Sequence, residues 1–311
     1  MRVSVPGNLL LLGEYAVLER GGLGLALAVE RRLTAEAEAA DALTLTGEWG
    51  AGPGLRWSEE EPGASPLITE VMAACRERLE SLGRAVPRVR VRVDSTALYL
   101  GGRKGGFGSS AAVAVALTCL LLGSTAVRPE PGIVAEVALA GHRRAQGGRG
   151  SGYDVFASSF GGVGLFTGGE RPSWAPLRLG WLQPLFLSRG PRSVSTPQAV
   201  QRYREWRARS PAEADEFLRR SNRCVLGFAR SGSRGEAASW LARSRELGLR
   251  LGERIGVGAC LPDPASLAPG SLKALGAGNE LGLYFPDQAP EMPPAGLSFL
   301  AVAAEGPQWA P

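Results

Sequence analysis

The sequence predicts an α+β fold. Strand-like alternation and helix-like periodicity both occur, but without the regular strand–helix–strand rhythm of a doubly wound parallel sheet. The chain has 311 residues with 44% apolar side chains, enough for two packed domains. The best division falls at the stretch GERPSWAP and separates residues 1–175 from residues 176–311.

The elements follow in order. Residues 2–5 and 23–29 read as strands that flank a turn at Arg20-Gly21-Gly22. Residues 33–47 continue with partial period-two alternation, and the turn GAGPG precedes a short strand at Leu55–Trp57. Pro66 to Leu82 has helical periodicity. VRVRVDS alternates cleanly, with Val89, Val91 and Val93 on one face, and predicts a strand. Helices are expected over Ser109–Leu122 and Pro131–Ala145. Residues 160–169 and 177–187 read as strands, and Thr196 to Ile255 as mostly helical. Final strands are expected at LGLYF and LSFLAVAA.

Composition excludes several function classes. The net charge of +5 forms no dense basic run, so the excess reads as a solvated surface rather than a nucleic-acid interface. Lys104 and Lys273 are the two lysines against 33 arginines, so each lysine is a candidate for chemistry that a wide guanidinium cannot supply. Cys75, Cys119, Cys224 and Cys260 form no CxxC pair, which argues against a disulfide framework or a zinc site. The N-terminal run of four leucines lacks the pattern of a signal peptide, and the apolar run from Ala111 to Leu122 is too short to span a bilayer. The expectation is a cytoplasmic protein with reduced thiols and no membrane or nucleic-acid partner.

One stretch, KGGFGSSAAVAVALTCLLLG over residues 104–123, sets the chain's most flexible residues against its most apolar segment. The first turn of a helix presents N–H groups with no intrahelical partner, and the dipole adds positive charge there. Glycines ahead of it let a ligand approach the backbone. Serines add hydroxyls, and a buried helix holds the whole rigid. Together these make a phosphate cradle. A serine-capped turn before a core helix is the alternative reading. No GxxxxGK[ST] pattern occurs, so this is not the usual P-loop.

GFGSSAA resembles the GLGSSAA phosphate-binding motif of the GHMP kinases, a superfamily of small-molecule kinases. PGNLLLLGEYAVLERGG (6–22) resembles their N-terminal PGKxxLxGEYxVLxGG motif, and KALGAGNELGLYF (273–285) their C-terminal KPSGAGGGDCGIAL motif. The likeness runs in the right order over nearly the whole chain. AGHRRAQGGRGSGYDVFASSFGG (140–162) is similar to the phosphomevalonate kinase branch, which carries AHxxAQ and then GSGxDVA. SRGPRSVSTPQAV (188–200) is similar to that branch's TGxxASTxxLV. The resemblance implies a two-domain fold, with a ribosomal S5 domain 2-like N-terminal ATP-binding domain and a ferredoxin-like C-terminal domain. It implies ATP- and Mg²⁺-dependent phosphoryl transfer to a small phosphorylated acceptor, 5-phosphomevalonate first and mevalonate second. The chain would act as a monomer or homodimer.

Carried over residue by residue, the resemblance assigns Asp154 and Lys104 to catalysis and Gly106, Gly108, Ser109, Ser110 and Ala111 to ATP, with Ser110 also on the metal. It assigns Asn8, Ser151, Gly152, Arg192, Ser195, Thr196, Gly276, Ala277 and Gly278 to the acceptor. Each assignment has a plainer counterpart. Asp154 could cap a helix, Ser109 and Ser110 could be N-caps, and Ser195 and Thr196 could cap the helix at Pro197. Lys104 and Lys273 could be surface lysines. His142, the single histidine, reads as structural before catalytic, and Glu14 as holding local structure. Two departures stand out. Asn8 replaces a motif lysine, so either another cation substitutes (Arg192 first, then Arg149, Arg143 or Lys104) or the kinase is weakened to a nucleotide binder. GAGNEL replaces the motif's Gly-Gly-Asp with Asn279-Glu280-Leu281.

Overall fold

The computed structural model describes residues 1–48, 54–100, 102–123, 127–190, 196–268, 271–278 and 280–310. Strands β1 (Arg2–Leu12), β2 (Leu23–Ala39), β3 (Thr44–Glu48) and β4 (Leu55–Ser58) precede helix α1 (Pro66–Ser81). Strand β5 (Val89–Asp94) and a small hairpin of β6 (Tyr99–Leu100) and β7 (Arg103–Lys104) lead to helices α2 (Ser109–Leu122), α3 (Pro131–Ala145) and α4 (Tyr153–Phe160). Then come β8 (Val163–Thr167), β9 (Ser173–Leu177) and β10 (Leu185–Arg189), and helices α5 (Thr196–Arg209), α6 (Pro211–Arg230) and α7 (Arg234–Ile255). Strands β11 (Leu272–Leu275), β12 (Leu281–Tyr284), β13 (Ser298–Leu300) and β14 (Gln308–Ala310) close the chain.

The described residues form two compact units, one of residues 1–9, 27–162 and 302–311 and one of residues 10–26 and 163–301. In the first unit the strand order is β14-β1-β2-β5-β3-β4. Strand β5 shows why the alternation was legible: Val91 and Val93 are buried opposite Ala37 and Ala35 of β2, while Arg90, Arg92 and Asp94 face out. Helix α2 packs against α1, α3 and α4, and every residue from Ala111 to Leu122 is buried, as an all-round apolar helix must be. Strand β1 runs to Leu12, further than its sequence suggests, because Pro6 lies past the β14 pairing, which ends at Ser4, where a missing N–H removes no bond to that neighbour.

In the second unit β8 pairs antiparallel with β9, and β11-β12-β10-β13 form an antiparallel sheet. An aromatic core of Tyr203, Trp206 and Phe217, with Leu247 and Leu251 of α7, encloses Ala16. The single strand expected over 177–187 is instead the end of β9 and the start of β10. Gly180 and Pro184 break the run, and Arg234 of α7 holds the connection. Its guanidinium donates to the carbonyls of Trp181, Leu182 and Pro184, satisfying groups that a sheet neighbour would otherwise take. The short helix α4 and the strands β9, β11 and β14 were not expected from periodicity.

Candidate functional site

The cradle lies in the first unit. Gly108 precedes α2 with φ 63° and ψ 41°, and Gly106 has φ 73°, both in the left-handed region that side chains disfavour. Space forbids a side chain at 108 as well: a Cβ there would fall 2.2 Å from Asn8 Nδ2. No side chain caps the helix. The N–H groups of Ser109, Ser110 and Ala111 therefore have no capping side chain at the positive end of a fourteen-residue helix. The simple N-cap reading of the two serines is corrected, since Gly108 holds the cap position.

Behind the cradle, Ser110 Oγ lies 3.2 Å from His142 Nε2. The same ring nitrogen is 3.3 Å from Gln146 Nε2 and 3.9 Å from Asp154 Oδ2. His142 is buried, and its Nδ1 has no partner among the described residues. The one imidazole thus lies between the N-terminal end of α2 and the carboxylate of α4. Asp154 stands in the first turn of α4, where a negative charge suits the helix dipole, and its Oδ1 accepts the Val155 N–H at 3.0 Å. Gly152 caps α4 at φ 94° and offers no side-chain acceptor.

Asn8 occupies the wall rather than open space. It is 1% exposed. Its Nδ2 donates to Ser158 Oγ at 3.0 Å and to the Gly108 carbonyl at 3.4 Å, and its backbone N–H donates to Phe107 at 3.0 Å. Ser158 in turn donates to the Pro6 carbonyl at 2.8 Å. Four residues separate Asp154 from Ser158, so both project from one face of α4 about one turn apart. The sequence reading missed Ser158; its spacing from Asp154 was the available signal.

Arg143 of α3 donates from Nε to the Gly150 carbonyl at 3.1 Å and from Nη2 to the Ser151 carbonyl at 2.8 Å. Burial pushes its guanidinium pKa down, and the Asp154 carboxylate opposes that shift. Lys104 is exposed on β7, opposite Tyr99. Thr196 opens α5 and is exposed. Arg192, Ser195 and Asn279 lie outside the described residues.

In the second unit the first and last sequence motifs meet. Lys273 is no surface lysine: it is 4% exposed, ion-paired with Glu14, and donates to the Ala274 carbonyl at 3.0 Å. Burial raises the Glu14 pKa, and Lys273 counteracts part of that rise. Tyr15 adopts φ 63°, stacks on Tyr203 at 5.3 Å and donates its hydroxyl to the Ala277 carbonyl at 2.9 Å. Gly276 and Gly278 carry φ 65° and φ 113°, in the region that favours glycine. Among the described residues no group of three His, Cys, Asp or Glu side chains could hold a metal ion, and no helix is long and apolar enough to cross a membrane.

Residues 66–162 match the GHMP kinases N terminal domain family. The phosphomevalonate kinase of Streptomyces sp. strain CL190 is 28% identical, with 88% of this chain and 86% of the relative covered. A phosphomevalonate kinase of Saccharolobus solfataricus is also 28% identical, over 52% of this chain and 48% of the relative. Among solved structures, Streptococcus pneumoniae phosphomevalonate kinase in complex with phosphomevalonate and AMPPNP superposes with a TM-score of 0.78 at 18% identity, covering 92% of each chain. The Lin0012 protein of Listeria innocua gives a TM-score of 0.82 at 20% identity, covering 99% of each chain.

Proposed function

We propose, for a chain that is a small-molecule kinase of the GHMP superfamily, transfer of the terminal phosphoryl group of ATP to the phosphate of 5-phosphomevalonate, giving 5-diphosphomevalonate and ADP. The observation that carries the phosphoryl-transfer reading is the uncapped, glycine-led N-terminus of α2 linked through Ser110 and His142 toward Asp154. The choice of acceptor is supported by the phosphomevalonate kinases that match along most of the chain.

In this reading Gly106, Gly108, Ser109, Ser110 and Ala111 hold the ATP phosphates through backbone N–H groups and hydroxyls. Ser110 would hold Mg²⁺ together with the ATP phosphates, since Mg²⁺ accepts few protein ligands. Mg·ATP supplies the phosphoryl group and part of its charge neutralisation. Asp154 orients the acceptor. No strong base is required of it, since a phosphate oxygen is anionic near neutral pH. Lys104 is assigned to the triphosphate. Ser151, Gly152 and Thr196, with Arg192 and Ser195, are assigned to the acceptor, as are Gly276, Ala277 and Gly278 of the glycine loop. Residues 1–175 would form the ATP-binding domain and 176–311 its C-terminal partner, in a monomer or homodimer.

ADP release with a panel of mevalonate, 5-phosphomevalonate and 5-diphosphomevalonate tests the proposal. Turnover confined to 5-phosphomevalonate is the expected result. Turnover of mevalonate instead would move the assignment one step earlier. Nucleotide binding without any turnover would mark a homologue that has lost the reaction, a reading favoured by the buried, uncharged amide at position 8.

A further inference from the structure

We propose that Arg143 is a positioning residue: its guanidinium, locked on the carbonyls of Gly150 and Ser151, holds the segment that carries Asp154 and sets a fixed positive charge beside that carboxylate. The inference rests on the reading that Asp154 faces the transferred group.

Three observations support it. First, Nε and Nη2 bond two successive carbonyls at 3.1 and 2.8 Å, so the guanidinium plane is fixed relative to the backbone that enters α4. A planar fork held on two acceptors loses little further freedom when it meets a third charge. Second, the segment it grips runs straight into Gly152, whose φ of 94° turns the chain into α4 two residues before Asp154. Third, the Asp154 carboxylate favours the charged form of this guanidinium and opposes the lowering that burial causes. Asn8, Lys104 and His142 are less suited. Asn8 brings no charge, Lys104 is exposed, and His142 at 3.9 Å from Asp154 carries charge only when protonated. Charge gathers when an anionic acceptor approaches a phosphoryl group. A half-buried guanidinium, pre-oriented on two carbonyls, keeps the balance around the orienting carboxylate from becoming wholly negative.

The test uses the full chain with Arg143→Lys, Arg143→Gln, Asp154→Asn and the double substitution Arg143→Gln/Asp154→Asn. Arg143→Gln is expected to lower kcat about 100-fold while KM for ATP changes less than about threefold, because the cradle is untouched. Arg143→Lys, which keeps the charge, should recover at least about tenfold of that loss. A purely structural clamp would make the two substitutions lose alike, and that result overturns the proposal, as does a kcat within about threefold of wild type for both. Melting temperatures give an activity-independent reading. If guanidinium and carboxylate are paired, each single substitution lowers Tm and the double variant lies no lower than the worse single. Additive losses overturn the pairing. If the wild type turns over no acceptor, the acceptor reading falls, and the melting cycle still decides for or against Arg143.

Discussion

Asn8, Gly108 and Ser158 show how little room one position leaves another. The Asn8 amide sits where any side chain at 108 would put its Cβ, and its Nδ2 ties strand β1 to both α2 and α4. Gly108→Val should therefore fail twice. The left-handed backbone disfavours a β-branched residue, and the side chain must displace Asn8. Thermal stabilisation of the wild type by millimolar Mg·ATP or ADP is expected to vanish in this variant. Lys273 offers a second residue-scale test. Lys273→Met leaves Glu14 buried without its counter-charge, which costs roughly 3–5 kcal/mol when a buried pair is broken. Glu14 already has a raised pKa from burial, and losing Lys273 raises it further. The folded state then binds the proton more tightly than the unfolded state. The variant's deficit should be small below the unfolded carboxylate pKa and grow as pH rises through the folded one. Urea denaturation at pH 5 and pH 8 measures this, with the larger loss expected at pH 8. The thiols give a third: burial pushes the Cys75 pKa up to about 12 and raises those of Cys119 and Cys224. A thiol reagent at pH 8 should modify the exposed Cys260 alone in the native protein and all four cysteines after unfolding.

The elements differ in how far their own sequence announces them. Helix α2 was legible because a twelve-residue buried run follows two serines and a glycine, so local chemistry and burial agree. Strand β5 was legible from its alternating valines. Helix α4 was not, since its eight residues are too few to establish a period. The break between β9 and β10 was missed although Gly180 and Pro184 mark it locally; what the sequence does not show is that Arg234, some fifty residues away, takes the carbonyls the break leaves. The same limit applied to the site. The motif residues of the cradle were visible, but the bond from Ser110 to His142 and the clamp of Arg143 on Gly150 and Ser151 depend on how α3 packs beside α2 and α4. The prediction at this scale concerns α4. Asp154→Asn keeps an N-terminal polar group of the same shape but removes its charge. Phosphoryl transfer should fall by at least about 1,000-fold, roughly 4 kcal/mol of barrier, while Mg·ADP affinity stays within about threefold. Single-turnover ADP release and calorimetric titration check the two halves. Retained turnover in a clean preparation would make Asp154 a structural residue.

At the scale of the molecule, the chain end returns to its beginning. In the first unit β14 pairs with β1 in the register Arg2↔Ala310, Val3↔Trp309 and Ser4↔Gln308. The Trp309 ring lies where a Cβ on Gly123, at the end of α2, would meet it at 2.5 Å. Arg128 lies over the same ring at 5.9 Å, and Arg32 donates to the Gly306 carbonyl. Gly161 and Gly162, just after α4, pack on and bond to residues 303–306: a Cβ on Gly161 would come within 2.2 Å of Glu305, and the Gly162 N–H donates to Ala303 at 2.7 Å. Residues 303–310 thus brace the helix that carries the cradle at its C-terminal end and close the far end of the helix that carries Asp154. A chain ending at Ala301 would leave the β1 edge unpaired over residues 2–4, uncover the Trp309 platform and free the backbone groups of Gly162. Burying a tryptophan face of about 100 Å² contributes about 2.5 kcal/mol, and the lost ladder and carbonyl bonds add about 1 kcal/mol each. The truncated protein should melt at least about 5 °C lower and lose nucleotide stabilisation, although residues 302–311 include none of the groups assigned to ligand. Replacing Trp309 alone with Ala should reproduce about half of the melting shift and leave nucleotide stabilisation in place. If truncation left both melting and nucleotide response unchanged, the C-terminal return would be an ornament of the fold, and the rigidity of α2 would have to come from α1, α3 and α4 alone.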